Sequence, residues 1–297
     1  MSDCIRGLWA AMLTPIDTDG GVDHAALAKH GAFLLANGCD GLVPFGTTGE
    51  GTSFSAAEKL ASVETLLKAG IPASKIALGT GCPAIPDTIG QTRDMMGLGL
   101  VHAMVLPPYY YREVTEDGIG DALAAVIDGV GSDRLRVCAY NIPQVSGVPT
   151  PAGSLARLRK QYGPIMAGVK DSTGDWESFL TFRRVAPEIG TLVGAEVLIA
   201  RALDQGGVGS ICGMVNLVPH LVKAMFSGHD GTAAMQAACG MLAGNGPFIS
   251  VMKSVIAAQT GDAAWRTPRA PFRPVDAAVG VRIARQFETL SQPRAAE

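Results

Sequence analysis

The chain lacks the cysteine spacing of a metal-thiolate site. Its six cysteines, at 4, 39, 82, 138, 212 and 239, are scattered, with no Cys-x-x-Cys pair. That argues against a zinc ribbon or finger. The apolar runs around Cys138 and Cys212 predict buried free thiols instead. His24, His30, His102, His220 and His229 show no ligand spacing either, so no metal is expected. Charge is scarce: 17% of residues are Asp, Glu, Lys or Arg, against about a quarter in an average soluble domain. The 24 basic and 27 acidic residues leave a net charge of −3 and no basic block, which speaks against nucleic acid as a partner. Stretches 137–156 and 205–222 carry no Asp, Glu, Lys or Arg, yet Pro, Gly and polar residues interrupt both. Neither predicts a membrane span. Met1-Ser2-Asp3-Cys4 does not open a secretory signal, so the expected location is the cytoplasm. The first apolar run ends at Thr14-Pro15 with no G-x-G-x-x-G, which removes the main mark of a dinucleotide-binding sheet. A hydrophobic share of 47% excludes a disordered chain.

Glycine, by contrast, is plentiful, at 37 of 297 residues. The excess predicts many tight turns or close backbone approaches. Short apolar runs alternate with amphipathic segments. The runs are Leu8–Leu13, Gly41–Phe45, Ile76–Leu78, Val101–Leu106, Arg136–Tyr140, Ile165–Val169, Thr191–Val193 and Val208–Ile211. Asp23 caps the first helical segment, and Ser55 with Glu58 forms a capping box for the second. Runs without polar alternation suit strands buried on both faces, hence a parallel sheet. Eight such units within 1–229 predict an α/β fold, a closed (β/α)8 TIM barrel. An open doubly wound sheet is the alternative. Residues 230–297 show helical segments at 231–243, 247–259 and 276–290 with no strand between them. They read as a C-terminal helical extension, with Gly261–Pro274 as a charged, Pro-rich connector.

A barrel carries its chemistry at the C-terminal ends of its strands. Strand two is followed by Gly46-Thr47-Thr48-Gly49-Glu50, and strand four by Pro107-Pro108-Tyr109-Tyr110-Tyr111. Strand five ends at Tyr140-Asn141-Ile142-Pro143, and strand six at Lys170-Asp171-Ser172-Thr173-Gly174. Gly194-Ala195-Glu196 follows strand seven, and Cys212-Gly213 follows strand eight. Only eight lysines are present, and most of the others fall on helical polar faces. Lys170, at the inner end of a buried strand, is partly desolvated, which favours a neutral, nucleophilic amine. It can equally snorkel from the barrel mouth or pair with Asp171 or Glu196. Tyr140 can relay a proton in the same cavity or simply pack in the core. Hydroxyls and backbone N–H groups around Thr47 and Thr48 suit a carboxylate, or an ordinary turn. The three tyrosines fit a loop lid or a subunit contact.

Taken together, Thr14-Pro15, Gly46–Glu50, Pro108-Tyr109-Tyr110, Tyr140–Pro143, Gly168-Val169-Lys170 and Gly209-Ser210-Ile211 resemble the dihydrodipicolinate synthase and N-acetylneuraminate lyase superfamily. The resemblance covers nearly the whole chain. It implies a (β/α)8 barrel with a helical extension, a homotetramer built as a dimer of dimers, and metal-free Schiff-base chemistry on pyruvate or another 2-oxo acid. Lys170 is then similar to the Schiff-base lysine and Tyr140 to the proton-shuttling tyrosine. Thr47 resembles the threonine that completes the hydroxyl relay. Tyr110 resembles the tyrosine that joins it across a tight dimer interface. Thr48, with the backbone at Gly49, is similar to the carboxylate-binding turn. Ile211 resembles the residue whose carbonyl faces the 2-oxo acid.

The departures point to a subfamily. The synthases carry an arginine a few residues beyond the tyrosine, where this chain has Val145, with no charge and no donor. Synthase activity is therefore disfavoured. Sialic acid lyases place an acidic pair after strand seven, where Gly194-Ala195-Glu196 supplies one acid. Lys170-Asp171-Ser172 resembles the 2-keto-3-deoxy sugar acid aldolases, in which Ser172 would bind a substrate hydroxyl. The expected activity is a pyruvate-forming aldolase on such an acid or a similar 4-hydroxy-2-oxo acid, without a dissociable cofactor. A dehydratase on the same Schiff base and a non-catalytic 2-oxo acid sensor are the alternatives.

Overall fold

The computed structural model describes residues 4–227 and 231–290. Eight parallel strands form one sheet: β1 (Gly7–Ala11), β2 (Gly41–Val43), β3 (Ala77–Gly79), β4 (His102–Val105), β5 (Arg136–Asn141), β6 (Met166–Asp171), β7 (Gly190–Val193) and β8 (Gly209–Cys212). Their order is β2-β1-β8-β7-β6-β5-β4-β3. β1 pairs with both β2 and β8, and a single bridge from Leu42 to Ile76 joins the two ends of that row. The result is the expected (β/α)8 barrel. Among the described residues, helices alternate with the strands: α1 (His24–Ala36), α2 (Ala56–Lys68), α3 (Ile85–Gly97), α4 (Glu116–Val130), α5 (Pro143–Ser146), α6 (Ala152–Tyr162), α7 (Trp176–Val185), α8 (Ile199–Asp204) and α9 (Pro219–Phe226). Asp23 caps α1 through the N–H of Ala26, and both hydrogen bonds of the Ser55–Glu58 capping box form at α2.

Strand parity sorts the side chains into two cores. Along β5, Val137 and Ala139 face the helices, while Cys138 and Tyr140 face the barrel interior. Along β6, Val169 faces out, so Lys170 faces in, because alternate residues point to opposite faces. The inner core holds Trp9, Ala11, Val43, Met104, Leu192 and Ile211 below the mouth. The outer core is larger and joins the sheet to the helices. All six cysteines are free thiols, and four of them, Cys4, Cys39, Cys138 and Cys212, are buried. Among the described residues, no three His, Cys, Asp or Glu side chains converge as a metal site, and no helix is long and apolar enough to cross a membrane.

Helices α10 (Thr232–Leu242), α11 (Phe248–Thr260) and α12 (Ala277–Leu290) follow the barrel. The expected boundary at 229/230, and His229, lie outside the described residues. α11 and α12 pack on each other, and α10 packs on the turn after β7. Two features differ from the sequence expectation. α5 is an extra turn of helix, nucleated where Pro143 follows β5. The 261–274 connector docks onto the barrel, since Arg269 donates to Gly20 O and Ser53 O and pairs with Glu58.

Candidate active site

The parity of β5 and β6 brings Tyr140 and Lys170 side by side, as register partners on neighbouring strands. Both are buried, at 3% and 4% exposure. The Lys170 amine stands 4.2 Å from the centre of the Tyr140 ring. Tyr140 Oη lies 3.2 Å from Thr47 Oγ1, so phenol and hydroxyl share a proton path. The same parity answers the pairing alternative. Asp171 points outward and accepts from Asn141 Nδ2, Thr173 N and Thr173 Oγ1. Among the described residues Lys170 forms no ion pair with Asp171 or Glu196.

A cavity of ≈ 330 Å³ opens over the amine. Thr47, Thr48, Tyr140, Lys170, Ser172, Gly194, Glu196 and Ile211 lie on its wall. Gly194 sits there for want of space: a Cβ would collide with Ser172 Oγ and stand 3.1 Å from Lys170 Cε. Glu196 Oε1 accepts from the N–H groups of Gly213 and Met214, both at 2.9 Å. One oxygen of this expected substrate contact is thus engaged in holding the β8 loop. Burial raises the Glu196 carboxyl above its ordinary pKa, and those N–H groups and Lys170 pull it back.

Gly49 and Tyr110 are not brought to this wall. Gly49 is buried, its carbonyl accepts from Thr14 Oγ1, and a Cβ would press on Met12 O at 2.7 Å. It shapes the turn through close backbone approach. Tyr110 is 80% exposed at φ +100°, an unusual backbone for a tyrosine, with its ring edge-on to Tyr111. The loop it belongs to runs over the surface after β4, which turns it away from the interior of its own barrel.

The Thr47–Thr48 loop is itself strained and braced. Phe45 and Glu50 adopt positive φ, at 57° and 56°. Glu50 is 2% exposed, and its Oε1 faces Lys253 Nζ at 2.5 Å. Its Oε2 accepts from Arg269 N at 2.6 Å. Lys253 is fully buried on α11 and also donates to Thr267 O. Burial lowers its pKa, and Glu50 opposes that shift. Lys253 and Lys59 are exceptions to the expectation that most of the other lysines cover helical polar faces, and Lys59 is 4% exposed and donates to Gln91. The helical spacing of α11 could have flagged Lys253, because Ile249, Met252 and Ile256 leave it no solvent face.

A second lobe of ≈ 270 Å³ adjoins the first, sharing Thr47, Tyr140, Ile142, Val145, Ile249 and Phe272. Val145 was singled out from the sequence only for the charge it lacks, and Ile142, Phe248, Ile249 and Phe272 were given no role in the site. They come from α5, α11 and the docked connector, elements whose approach to the mouth is a tertiary effect.

The Dihydrodipicolinate synthetase family model matches residues 4–277. An uncharacterised DapA-like lyase of Chloroflexus aurantiacus is 39% identical over 236 residues, 78% of each chain. A 4-hydroxy-tetrahydrodipicolinate synthase of Rhodospirillum centenum is 34% identical over 221 residues, 74% of each. The crystal structure of dihydrodipicolinate synthase from Agrobacterium tumefaciens superposes with a TM-score of 0.91 at 32% identity, covering 97% of this chain and 100% of that one. With a barrel of this topology, these likenesses define an enzyme of the class I pyruvate-dependent lyases and aldolases. The chain belongs to the Dihydrodipicolinate synthetase family.

Proposed function

We propose that the protein is a Schiff-base aldolase that reversibly cleaves a 4-hydroxy-2-oxo acid, such as a 2-keto-3-deoxy sugar acid, to pyruvate and an aldehyde. The observation that carries this is the Lys170 amine over the Tyr140 ring, with the phenol linked to Thr47. Lys170 Nζ adds to the C2 carbonyl, and water leaves as the iminium forms. Tyr140 takes the C4 hydroxyl proton, the C3–C4 bond breaks, and its electron pair moves into the iminium, giving an enamine and the aldehyde. Protonation at C3 and hydrolysis then release pyruvate and the free amine. Proton transfer by the phenol contributes roughly 10²–10⁴-fold. Thr47 passes the proton on, joined by Tyr110 of a neighbouring subunit in a homotetramer. Thr48 receives the carboxylate, facing the Ile211 carbonyl, while Ser172, Gly194 and Glu196 border the C4 side, and Gly49 serves only to shape the turn that carries Thr48. The division into a catalytic barrel, 1–229, and a helical extension, 230–297, belongs to this proposal, as does a cytoplasmic location.

Relatives named as synthases favour a second reading, condensation of pyruvate with aspartate semialdehyde. Against it stands Val145, 63% exposed at the cavity mouth and without a charge for the second carboxylate. A dehydratase would use the same lysine and yield a new oxo acid in place of pyruvate and aldehyde. The test is borohydride reduction in the presence of pyruvate, followed by peptide mass mapping with Lys170→Ala as the blank. An adduct at Lys170 is expected. A folded protein with no adduct there overturns the proposal, and rapid turnover of aspartate semialdehyde overturns the choice of aldolase over synthase.

A further inference from the structure

The walls of the cavity are of two kinds, hydroxyl-bearing and hydrocarbon. Lys170 shares one wall with the hydroxyl-bearing side chains Thr47, Thr48, Tyr140 and Ser172. The apolar side chains on the cavity wall are Ile142, Val145, Phe248, Ile249 and Phe272. Four of these five also border the second lobe, and with Thr47 and Tyr140 as the other shared residues most of the wall common to the two lobes is hydrocarbon. Val145 and Phe248 are held out at the rim with 63% and 48% exposure. Among the described residues no guanidinium lines either lobe, and Arg112 lies instead against Gly147, outside both walls. In the second lobe Lys59 has its amine on Gln91 Oε1.

We infer that the aldehyde half of the substrate carries an uncharged, apolar tail, an alkyl or aryl group, seated against Ile142, Val145, Phe248, Ile249 and Phe272. The inference rests on the Schiff-base reading of Lys170 and narrows its substrate from sugar acids to 4-hydroxy-2-oxo acids with hydrocarbon ends. The physical argument is one of matching. A polyhydroxylated tail pressed on these five side chains loses water and gains no side-chain partner, which is costly for each hydroxyl. An alkyl tail loses nothing polar, and it shields the rim side chains from water. In the condensing direction, C3 of the pyruvate enamine bonds to the aldehyde carbon, Tyr140 protonates the new alkoxide, and water hydrolyses the iminium to free the product.

The experiment compares kcat/KM for pyruvate with ethanal, butanal, glyceraldehyde and succinate semialdehyde, using the full chain. Burial of each methylene predicts a gain of roughly fourfold, hence about tenfold or more from ethanal to butanal. Butanal should also exceed glyceraldehyde and succinate semialdehyde. Val145→Ser and Phe248→Ser should each lower the butanal-to-glyceraldehyde ratio, a readout independent of how much protein is folded. Suppose the pyruvate adduct forms at Lys170, but glyceraldehyde or succinate semialdehyde is preferred, or no aldehyde condenses. The inference then falls and the Schiff-base reading stands. Failure to form the adduct removes both.

Discussion

Gly194→Ala is the sharpest perturbation of the site, because a single methyl group enters between Ser172 and Lys170. The added Cβ would collide with Ser172 Oγ, stand 2.9 Å from Ser172 Cβ and lie 3.1 Å from Lys170 Cε. Ordinary contacts begin near 3.4 Å, so Ser172 Cβ must retreat by about half an ångström and Lys170 Cε by a few tenths. Ser172 can rotate its hydroxyl, but its backbone is held, since Ser172 N donates to Asn141 O at 2.9 Å. Gly194 N is fixed on Asp171 O at 2.7 Å. The strain thus passes into the lysine stem, which is packed against the Tyr140 ring. Overpacking of this kind costs about 1–3 kcal/mol of stability. A displaced Nζ attacks off line, and a misplacement near 1 Å is worth about 10²-fold in rate. The few tenths of an ångström required of Lys170 predict a loss of roughly fourfold in the rate of adduct formation with pyruvate. The assay is borohydride trapping over time at saturating pyruvate, on protein shown to be folded by its denaturation midpoint. Trapping within twofold of the unaltered enzyme would refute the claim that Gly194 is present to make room for the amine.

Two further predictions concern stability. Lys253→Met leaves the Glu50 carboxylate buried without its partner and should cost about 3–5 kcal/mol in denaturant unfolding. Adding Glu50→Gln should recover at least half of it, whereas a single-variant loss below ~1 kcal/mol would show that the pair is not a brace. His30, on α1, is lowered to about 4 by burial, although Nε2 is 2.8 Å from Asn216 Oδ1. The Asn216 amide donates to Ala11 O and Gly213 O, which leaves Oδ1 as the acceptor and makes Nε2 the protonated nitrogen of a neutral ring. A folded pKa below the unfolded one means the contribution is whole above about pH 6.5 and falls as pH drops toward 4, by about 3 kcal/mol. His30→Gln should flatten that part of the pH–stability curve, and an unchanged slope would assign it to other groups.

The barrel was legible in the sequence because its strands are short, apolar and followed by caps or turn residues at each step. The cluster of Lys170, Tyr140, Thr47, Thr48 and Ser172 was legible for the same reason, since strand ends of a closed barrel converge by topology alone. What could not be read is what returns from far along the chain. Arg269 reaches Glu50 across 219 residues, and Phe272 follows it onto the cavity wall. Nothing in the local composition of a Pro-rich, charged connector distinguishes a docked strap from a solvated loop. Lys253 was missed because lysine usually marks a polar face, and only the apolar spacing around it shows the opposite. Tyr110 was legible as a motif, but a single chain leaves it facing solvent.

The strand row closes with one bridge, Leu42 to Ile76, and one long bond, Gly79 N to Pro44 O at 3.5 Å. A ring with one thin joint breathes there first, so amide exchange should be fastest along β2 and β3. The loop carrying Thr47 and Thr48 springs from this joint. Glu50, Lys253 and Arg269 act on it as a hoop acts on a cask, gripping the staves from outside where they meet least firmly. The precision of the proposed carboxylate-binding end is therefore set by the last quarter of the chain. Shortening the chain after the eighth strand would leave every expected catalytic side chain in place and still loosen the grip on the substrate.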